Sequence, residues 1–214
     1  MSSLNKIFII AVYTILVSGT AFCQEYFDLT NTKDVYKYYT SGLYDEEIRG
    51  ITDKAKEYFG SIEVKEMSTV IFDIDETALS NIVFDTTALP FTVERWNEWV
   101  REGKAFAIQP VKELYDYLVS LNYHIIFLTG SAGELHDATL SNLKKVGYTE
   151  FDTLICRDTW QENMTAAEYK SGWRKELVER GYIIEGNVGD QWSDMSGGNS
   201  GYFVRITNYI YYIK

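Results

Sequence analysis

The chain of 214 residues has only two prolines, two cysteines and two histidines. So little proline, without biased repeats, excludes a fibrous or low-complexity polymer. Cations are also scarce: 20 Lys and Arg stand against 31 Asp and Glu, a net charge of −11. That balance excludes attachment to a nucleic acid polymer or anionic lipid by charge alone, because such binding needs Lys and Arg to neutralise phosphates. A phosphate group bound here must be held against the repulsion of the whole molecule. The apolar run Ile7–Val17 is too short to cross about 30 Å of hydrocarbon comfortably. With Lys6 before it and Ser18-Gly19-Thr20-Ala21 after it, the run has the pattern of an export signal.

Residues 1–23 are therefore expected to be cleaved, leaving Gln24 first in a periplasmic or secreted protein. The alternatives are a lipoprotein acylated on Cys23, which would anchor the protein to a membrane, and retention of the segment as an anchor. Cleavage takes away Lys6 and no acid, moving the net charge to −12, and leaves Cys156 as the only thiol. An exported chain without an intrachain disulfide depends on its core, and about 190 residues are enough to build one. Cys156 ends the apolar run Thr153-Leu154-Ile155 and reads as a small core residue.

What is present is ordinary for a folded protein: 46% apolar and 24% charged residues exclude wholesale disorder. Residues 24–66 read as a helical, aromatic segment. Ile48, Ile51, Ala55 and Phe59 recur on one helix face, and Asp45-Glu46-Glu47 suit its first turn. Tyr36, Tyr38 and Tyr39 are expected to pack on the body. Residues 67–214 alternate. Apolar strands are expected at Thr69–Phe72, Tyr123–Leu128, Phe151–Cys156, Ile183–Val188 and Tyr202–Ile206. Helices fall between them: one opened by Pro110 with Val111, Leu114, Leu118 and Leu121, one with Leu135, Ala138, Leu143 and Val146 that stops at Gly147, and one with Trp173 and Leu177 that stops at Gly181. This is an α/β pattern, a parallel sheet with helices on both faces. Ligands in such folds sit beyond the carboxyl ends of the strands, which singles out Asp73, Thr129 and Asp190. Residues 79–109 break the alternation with Phe84, Phe91, Trp96 and Trp99, and read as a cap over those strand ends.

Asp73-Ile74-Asp75-Glu76-Thr77 follows the first strand, and its two Asp side chains face one site only if the chain turns there. A calcium loop is excluded, since Ala78 stands where glycine is needed and Phe84 where a bidentate glutamate is needed. Thr129-Gly130-Ser131 adds a hydroxyl and backbone amides, and Asp190 and Asp194 add carboxylates. A serine-hydrolase elbow at Ser131 is excluded because position 129 is not glycine. His124 opens a strand and His136 lies on the helix after Ser131; neither demands a catalytic role.

These blocks together resemble the haloacid-dehalogenase (HAD) superfamily of phosphohydrolases, and more narrowly the acid phosphatases grouped with bacterial class B and class C enzymes and plant vegetative storage proteins. The likeness rests on Phe72-Asp73-Ile74-Asp75-Glu76-Thr77-Ala78-Leu79-Ser80-Asn81, Phe127-Leu128-Thr129-Gly130, Tyr169-Lys170-Ser171 with Arg174–Val178, and Gly186–Asp194. The resemblance implies a HAD-like fold and hydrolysis of small phosphomonoesters, with nucleotides among the possible substrates. It implies Asp73 as nucleophile, Asp75 as general acid and base, and Thr129, Gly130 and Lys170 around the phosphoryl group. It implies Mg²⁺ held by Asp73, the Asp75 carbonyl and Asp190, with Asp194 a ligand or a support. One departure is Ser131, where many relatives carry arginine after the Thr-Gly pair. The alternatives are a catalytically silent storage or binding protein of the same fold, and a phosphotransferase.

Overall fold

The computed structural model describes residues 29–213 apart from 88, 89 and 162. The expected signal segment and Cys23 lie outside these residues. Among the described residues no helix is long and apolar enough to cross a membrane.

Asn31 caps helix α1 (Thr32–Thr40), its side chain accepting the Asp34 N–H at 3.0 Å. Helix α2 (Leu43–Ser61) buries Tyr44, Ile48, Thr52, Ala55 and Phe59, one face at helical spacing, and keeps Asp45 and Glu46 in its first turn. Tyr39 is buried and stacks on Tyr44, and Tyr38 donates to Glu47 at 2.8 Å. Tyr36 departs from expectation. It points outward at 39% exposure, because the face of α1 that meets the body carries Val35 and Tyr39.

Strand β1 (Ser68–Phe72) follows and is buried along its whole length. The 79–109 segment then folds as strand β2 (Leu79–Ser80), helix α3 (Ile82–Thr87), helix α4 (Val93–Glu102) and strand β3 (Phe106–Ala107), with β2 and β3 antiparallel. Phe84 is the centre of this insertion, with the rings of Phe91, Trp96 and Trp99 5.3–6.2 Å from its own. Helix α5 (Gln109–Ser120), strand β4 (His124–Ala132), helix α6 (His136–Lys145), strand β5 (Thr153–Arg157), helix α7 (Ala166–Glu179), strand β6 (Ile183–Gly189) and strand β7 (Tyr202–Arg205) complete the chain.

The main sheet is wholly parallel, in the order β5-β4-β1-β6-β7. Side chains alternate across it. Val70 and Phe72 of β1, with Ile125 and Phe127 of β4, enter the larger core with α2, α5 and α6. Ile71, Ile126 and Leu128 face the other way, onto Tyr169 and Leu177 of α7. Each such fully buried side chain is worth about 1.5–3 kcal/mol of transfer free energy. Helices on both faces explain why these strands are continuously apolar. Two differences from the sequence pattern stand out. Strand β4 runs four residues past Leu128, where a register shift re-pairs Ala132 with Arg157 of β5. Helix α6 is preceded by a short 3-10 turn, Gly133–Leu135, that buries Leu135.

Cys156 is half-buried against the larger core, and burial first, then the charges of Asp75 and Asp158, push its thiol up to about 12. At pH 8 a thiol reagent is expected to modify the folded protein roughly two to three orders of magnitude more slowly than the unfolded chain. Equal rates would place the thiol in an open, ionisable position.

Candidate active site

Asp73 is the first residue beyond β1. Its N–H donates to Val188 O at 2.9 Å, which holds it between β1 and β6. The chain then turns at Glu76, which adopts a left-handed conformation (φ 54°) rare for a side chain of its size. The turn is fastened by Leu79 N–H to Ile74 O at 2.9 Å, and by the fully buried Glu76 carboxylate accepting the Asn81 N–H at 2.5 Å. Asp73 and Asp75 thereby open on the same cavity.

Lys170 comes up from α7, almost fully buried, and pairs with Asp73 at 2.5 Å and with Asp194. Burial opposes the ammonium charge, but the two carboxylates outweigh it and raise the Lys170 pKa. Asp73 is itself pushed well above the usual carboxylate range by burial, with Lys170 pulling it back and three neighbouring acids pushing with burial. Asp75 is raised by burial and held down by hydrogen bonds from Ser131 Oγ and Asn81 Nδ2, both at 3.1 Å. Thr129 closes this group: its hydroxyl accepts the Ser131 N–H at 3.1 Å and lies 3.5 Å from Asp75. Ser131, the residue after the Thr-Gly pair, is thus a partner of Asp75.

At the end of β6, Gly189 allows a close approach: a Cβ there would lie 2.3 Å from Asp194 Oδ2. Asp190 Oδ2 accepts from Gln191 Nε2 at 2.5 Å and Asn208 Nδ2 at 2.7 Å, and its Oδ1 accepts from the Thr77 hydroxyl at 3.3 Å. Burial, then Asp194, lift the Asp190 pKa to about 6. Asp73, Asp190 and Asp194 each offer an oxygen within 4.8 Å of the others, an all-oxygen set that suits a hard divalent cation. Both Asp194 oxygens are already engaged, by Lys170 and by the Gln191 N–H at 2.8 Å, and Asp194 does not line the cavity.

The cavity has a volume of about 870 Å³. Asp73, Asp75, Thr129, Gly130, Lys170 and Asp190 form its floor. Phe91 and Trp96 of the insertion form one wall, while Trp99 turns inward and donates to Asn81 Oδ1 at 2.8 Å. His136 contacts Asp137, and His124 contacts Asp152 and Glu66 O; neither is at the cavity.

Sequence reasoning gave no role at the site to several contributors. Arg174, four residues after Lys170 on the same helix face, is fully buried and clamps the loop after β6 by donating to the carbonyls of Asp194, Ser196 and Gly198. That spacing was a readable signal. The tail Tyr209–Ile213 forms another cavity wall, held by Tyr209 N–H to the Tyr39 hydroxyl at 3.1 Å and Ile213 N–H to Gln191 at 2.9 Å. Asp85 on α3 also faces the cavity, and one of its oxygens is buried without a hydrogen-bond partner. Burial, then Asp75, raise its pKa to about 7. The stability it contributes is complete below about pH 4 and is lost as pH rises through about 7. Asp85→Asn is therefore expected to raise Tm by roughly 2–8 °C at pH 8, for about 1–2 kcal/mol after screening, and by less than half of that at pH 5, where the loss has only begun. A gain of the same size at both pH values would contradict this.

Comparison with known proteins agrees with the geometry. The family model of the HAD superfamily, subfamily IIIB (acid phosphatase), matches residues 24–214. The chain belongs to that acid phosphatase family. It is 36% identical over 179 residues to the Stem 28 kDa glycoprotein of Glycine max, covering 80% of this chain and 70% of that one. It is 33% identical over 186 residues to Acid phosphatase 1 of Solanum lycopersicum, covering 84% and 73%. It is 30% identical to Vegetative storage protein 1 of Arabidopsis thaliana, covering 81% and 67%. Among solved structures, a class C acid phosphatase from Bacillus anthracis with tungstate bound superposes with a TM-score of 0.68 at 19% identity, over 86% of each chain, a likeness of fold.

Proposed function

We propose that this protein is a Mg²⁺-dependent hydrolase of small phosphomonoesters that works by way of a phosphorylated Asp73, outside the cytoplasm after loss of residues 1–23. The observation that carries this reading is the convergence of Asp73, Asp75 and Lys170 on one cavity at the strand ends.

Asp73 attacks phosphorus through the oxygen that Lys170 does not hold. Lys170 keeps that carboxylate in place and offsets charge on the transferring group. The Thr129 hydroxyl and the Gly130 N–H orient the phosphoryl oxygens. Asp75, whose protonated form is favoured by burial, gives its proton to the leaving oxygen, then takes one from the water that releases phosphate from Asp73. Asp73, the Asp75 carbonyl and Asp190 are the residues that would hold Mg²⁺, which when bound neutralises phosphate oxygens and their carboxylate neighbours. Asp194 acts through Lys170. Phe91 and Trp96 offer faces on which the base of a nucleotide substrate can stack.

The test is hydrolysis of p-nitrophenyl phosphate by purified protein in the presence of Mg²⁺. EDTA is expected to abolish it and Mg²⁺ to restore it, with a rise in Tm on metal addition. Full activity in EDTA overturns the metal assignment. Ser131→Ala, which removes one of the donors holding Asp75, is expected to lower kcat several-fold with little change in KM. The resemblance to vegetative storage proteins keeps a silent storage role as the competing reading, and no turnover of any phosphomonoester would favour it. Transfer of phosphate to an added alcohol, measured beside phosphate release, separates a phosphotransferase from a hydrolase.

A further inference from the structure

Among the described residues two cations line the cavity, Lys170 and Arg157. Lys170 is paired with two carboxylates, Asp73 and Asp194. Arg157 is not. It is the last residue of β5, beside Ala132 in register, and its guanidinium carbon sits 4.7 Å from the ring centroid of Tyr169. Its one side-chain hydrogen bond among the described residues runs from Nη1 to Met164 O, long at 3.4 Å. Nε is buried with no partner, and no described carboxylate forms an ion pair with the group. In a chain of net charge −11, an arginine braced against a ring but lacking a carboxylate is an uncompensated positive charge at a cavity wall.

We infer that Arg157 binds a second oxyanion on the leaving-group side of the substrate, so that the enzyme prefers phosphomonoesters bearing a carboxylate or a further phosphate. This rests on the phosphatase reading above. The transferring phosphoryl group already has Thr129, Gly130 and Lys170. Arg157 lies two strands out from β1 in the order β5-β4-β1, roughly 10 Å to the side of Asp73 at the usual strand spacing. From there its planar fork reaches the outer part of a bound ester. A guanidinium braced on an aromatic face loses little freedom on accepting a carboxylate or phosphate in paired fashion. The same group supplies a cation to the site in which position 131 is serine.

The test compares kcat/KM with Mg²⁺ for 3-phosphoglycerate, 1,3-propanediol bisphosphate and glycerol 3-phosphate in the full protein and in Arg157→Gln. The variant is expected to lose roughly tenfold to a hundredfold on one or both of the first two, mainly in KM. Glycerol 3-phosphate and p-nitrophenyl phosphate should stay within about twofold. A loss confined to 3-phosphoglycerate or to the bisphosphate identifies the oxyanion as carboxylate or phosphate. Arg157→Lys should recover only part of the loss, since it keeps the charge and not the fork. Calorimetric binding of two inert ligands, phosphonoacetate and methylphosphonate, keeps the test independent of turnover. Wild type should bind the first more tightly, and Arg157→Gln should bind both alike. Equal losses on every substrate, or no preference for phosphonoacetate in the wild type, overturn the inference. Absence of turnover with the phosphonoacetate preference intact overturns the phosphatase reading and leaves Arg157 as an oxyanion site.

Discussion

Asp73→Asn is expected to leave a folded protein whose phosphate release falls roughly 10⁴-fold or more, the scale seen when a nucleophile acting in concert with its neighbours is removed. Asn matches Asp in shape, and its carbonyl oxygen still accepts from Lys170, which sits 2.5 Å from Asp73. What is lost is the second carboxylate oxygen, free of protein hydrogen bonds among the described residues and open to the cavity. The variant should therefore retain its Tm to within a few degrees while losing turnover. Activity within tenfold of wild type would remove Asp73 from the covalent step.

Lys170→Met carries the largest expected cost to stability. The side chains of Asp73 and Asp194 are 8% and 2% exposed, and Lys170 is the cation that both contact. Two carboxylates about 4 Å apart repel by about 4 kcal/mol at an effective dielectric near 20. Removing one partner of a buried ion pair costs roughly 3–5 kcal/mol, which for a chain of this length is a Tm lower by roughly 6–20 °C. The measurement is made in EDTA, since a divalent cation would itself relieve the repulsion. Adding Asp194→Asn to Lys170→Met should recover part of the loss, because the uncompensated charge is then gone. A Tm for Lys170→Met equal to that of wild type would mean that the two carboxyl groups are neutral and the ion pair contributes nothing. Hydrolysis should be lost in both variants.

The sheet was legible because its physics is local. Thr69–Phe72 is continuously apolar, as a strand covered on both faces must be, and Asp73, Thr129 and Asp190 stand where such strands end. The remainder depends on contacts that no periodicity encodes. Asn208 reaches Asp190 from 18 residues on, and Tyr39 reaches Tyr209 across 170. The orientation of Asp75 required a left-handed residue at Glu76, a conformation that glycine announces and glutamate does not. The bond from Ser131 to Asp75 follows from β4 running on to Ala132, past the apolar run that marks the strand in the sequence. Tyr36, expected on the body with Tyr38 and Tyr39, lies outward because Val35 and Tyr39 occupy the face of α1 that meets the core.

The acidity of the chain also takes on a different meaning. Its net charge of −11 excludes a phosphate polymer held by surface cations. Asp73, Asp75 and Asp190 concentrate part of that acidity on one cavity floor, where Lys170 and an all-oxygen cation site can turn repulsion into a place for one small phosphate ester.

The covalent role of Asp73 is tested most directly by a rapid acid quench before the steady state is reached. Protein mixed with excess p-nitrophenyl phosphate and Mg²⁺, stopped in acid within milliseconds and digested, is expected to yield a peptide carrying one phosphoryl group on Asp73. Asp75→Asn should accumulate more of it, because the water that clears Asp73 then lacks its base. Phosphate release at the wild-type rate with no phosphorylated Asp73, or with the phosphoryl group on another residue, would contradict the account.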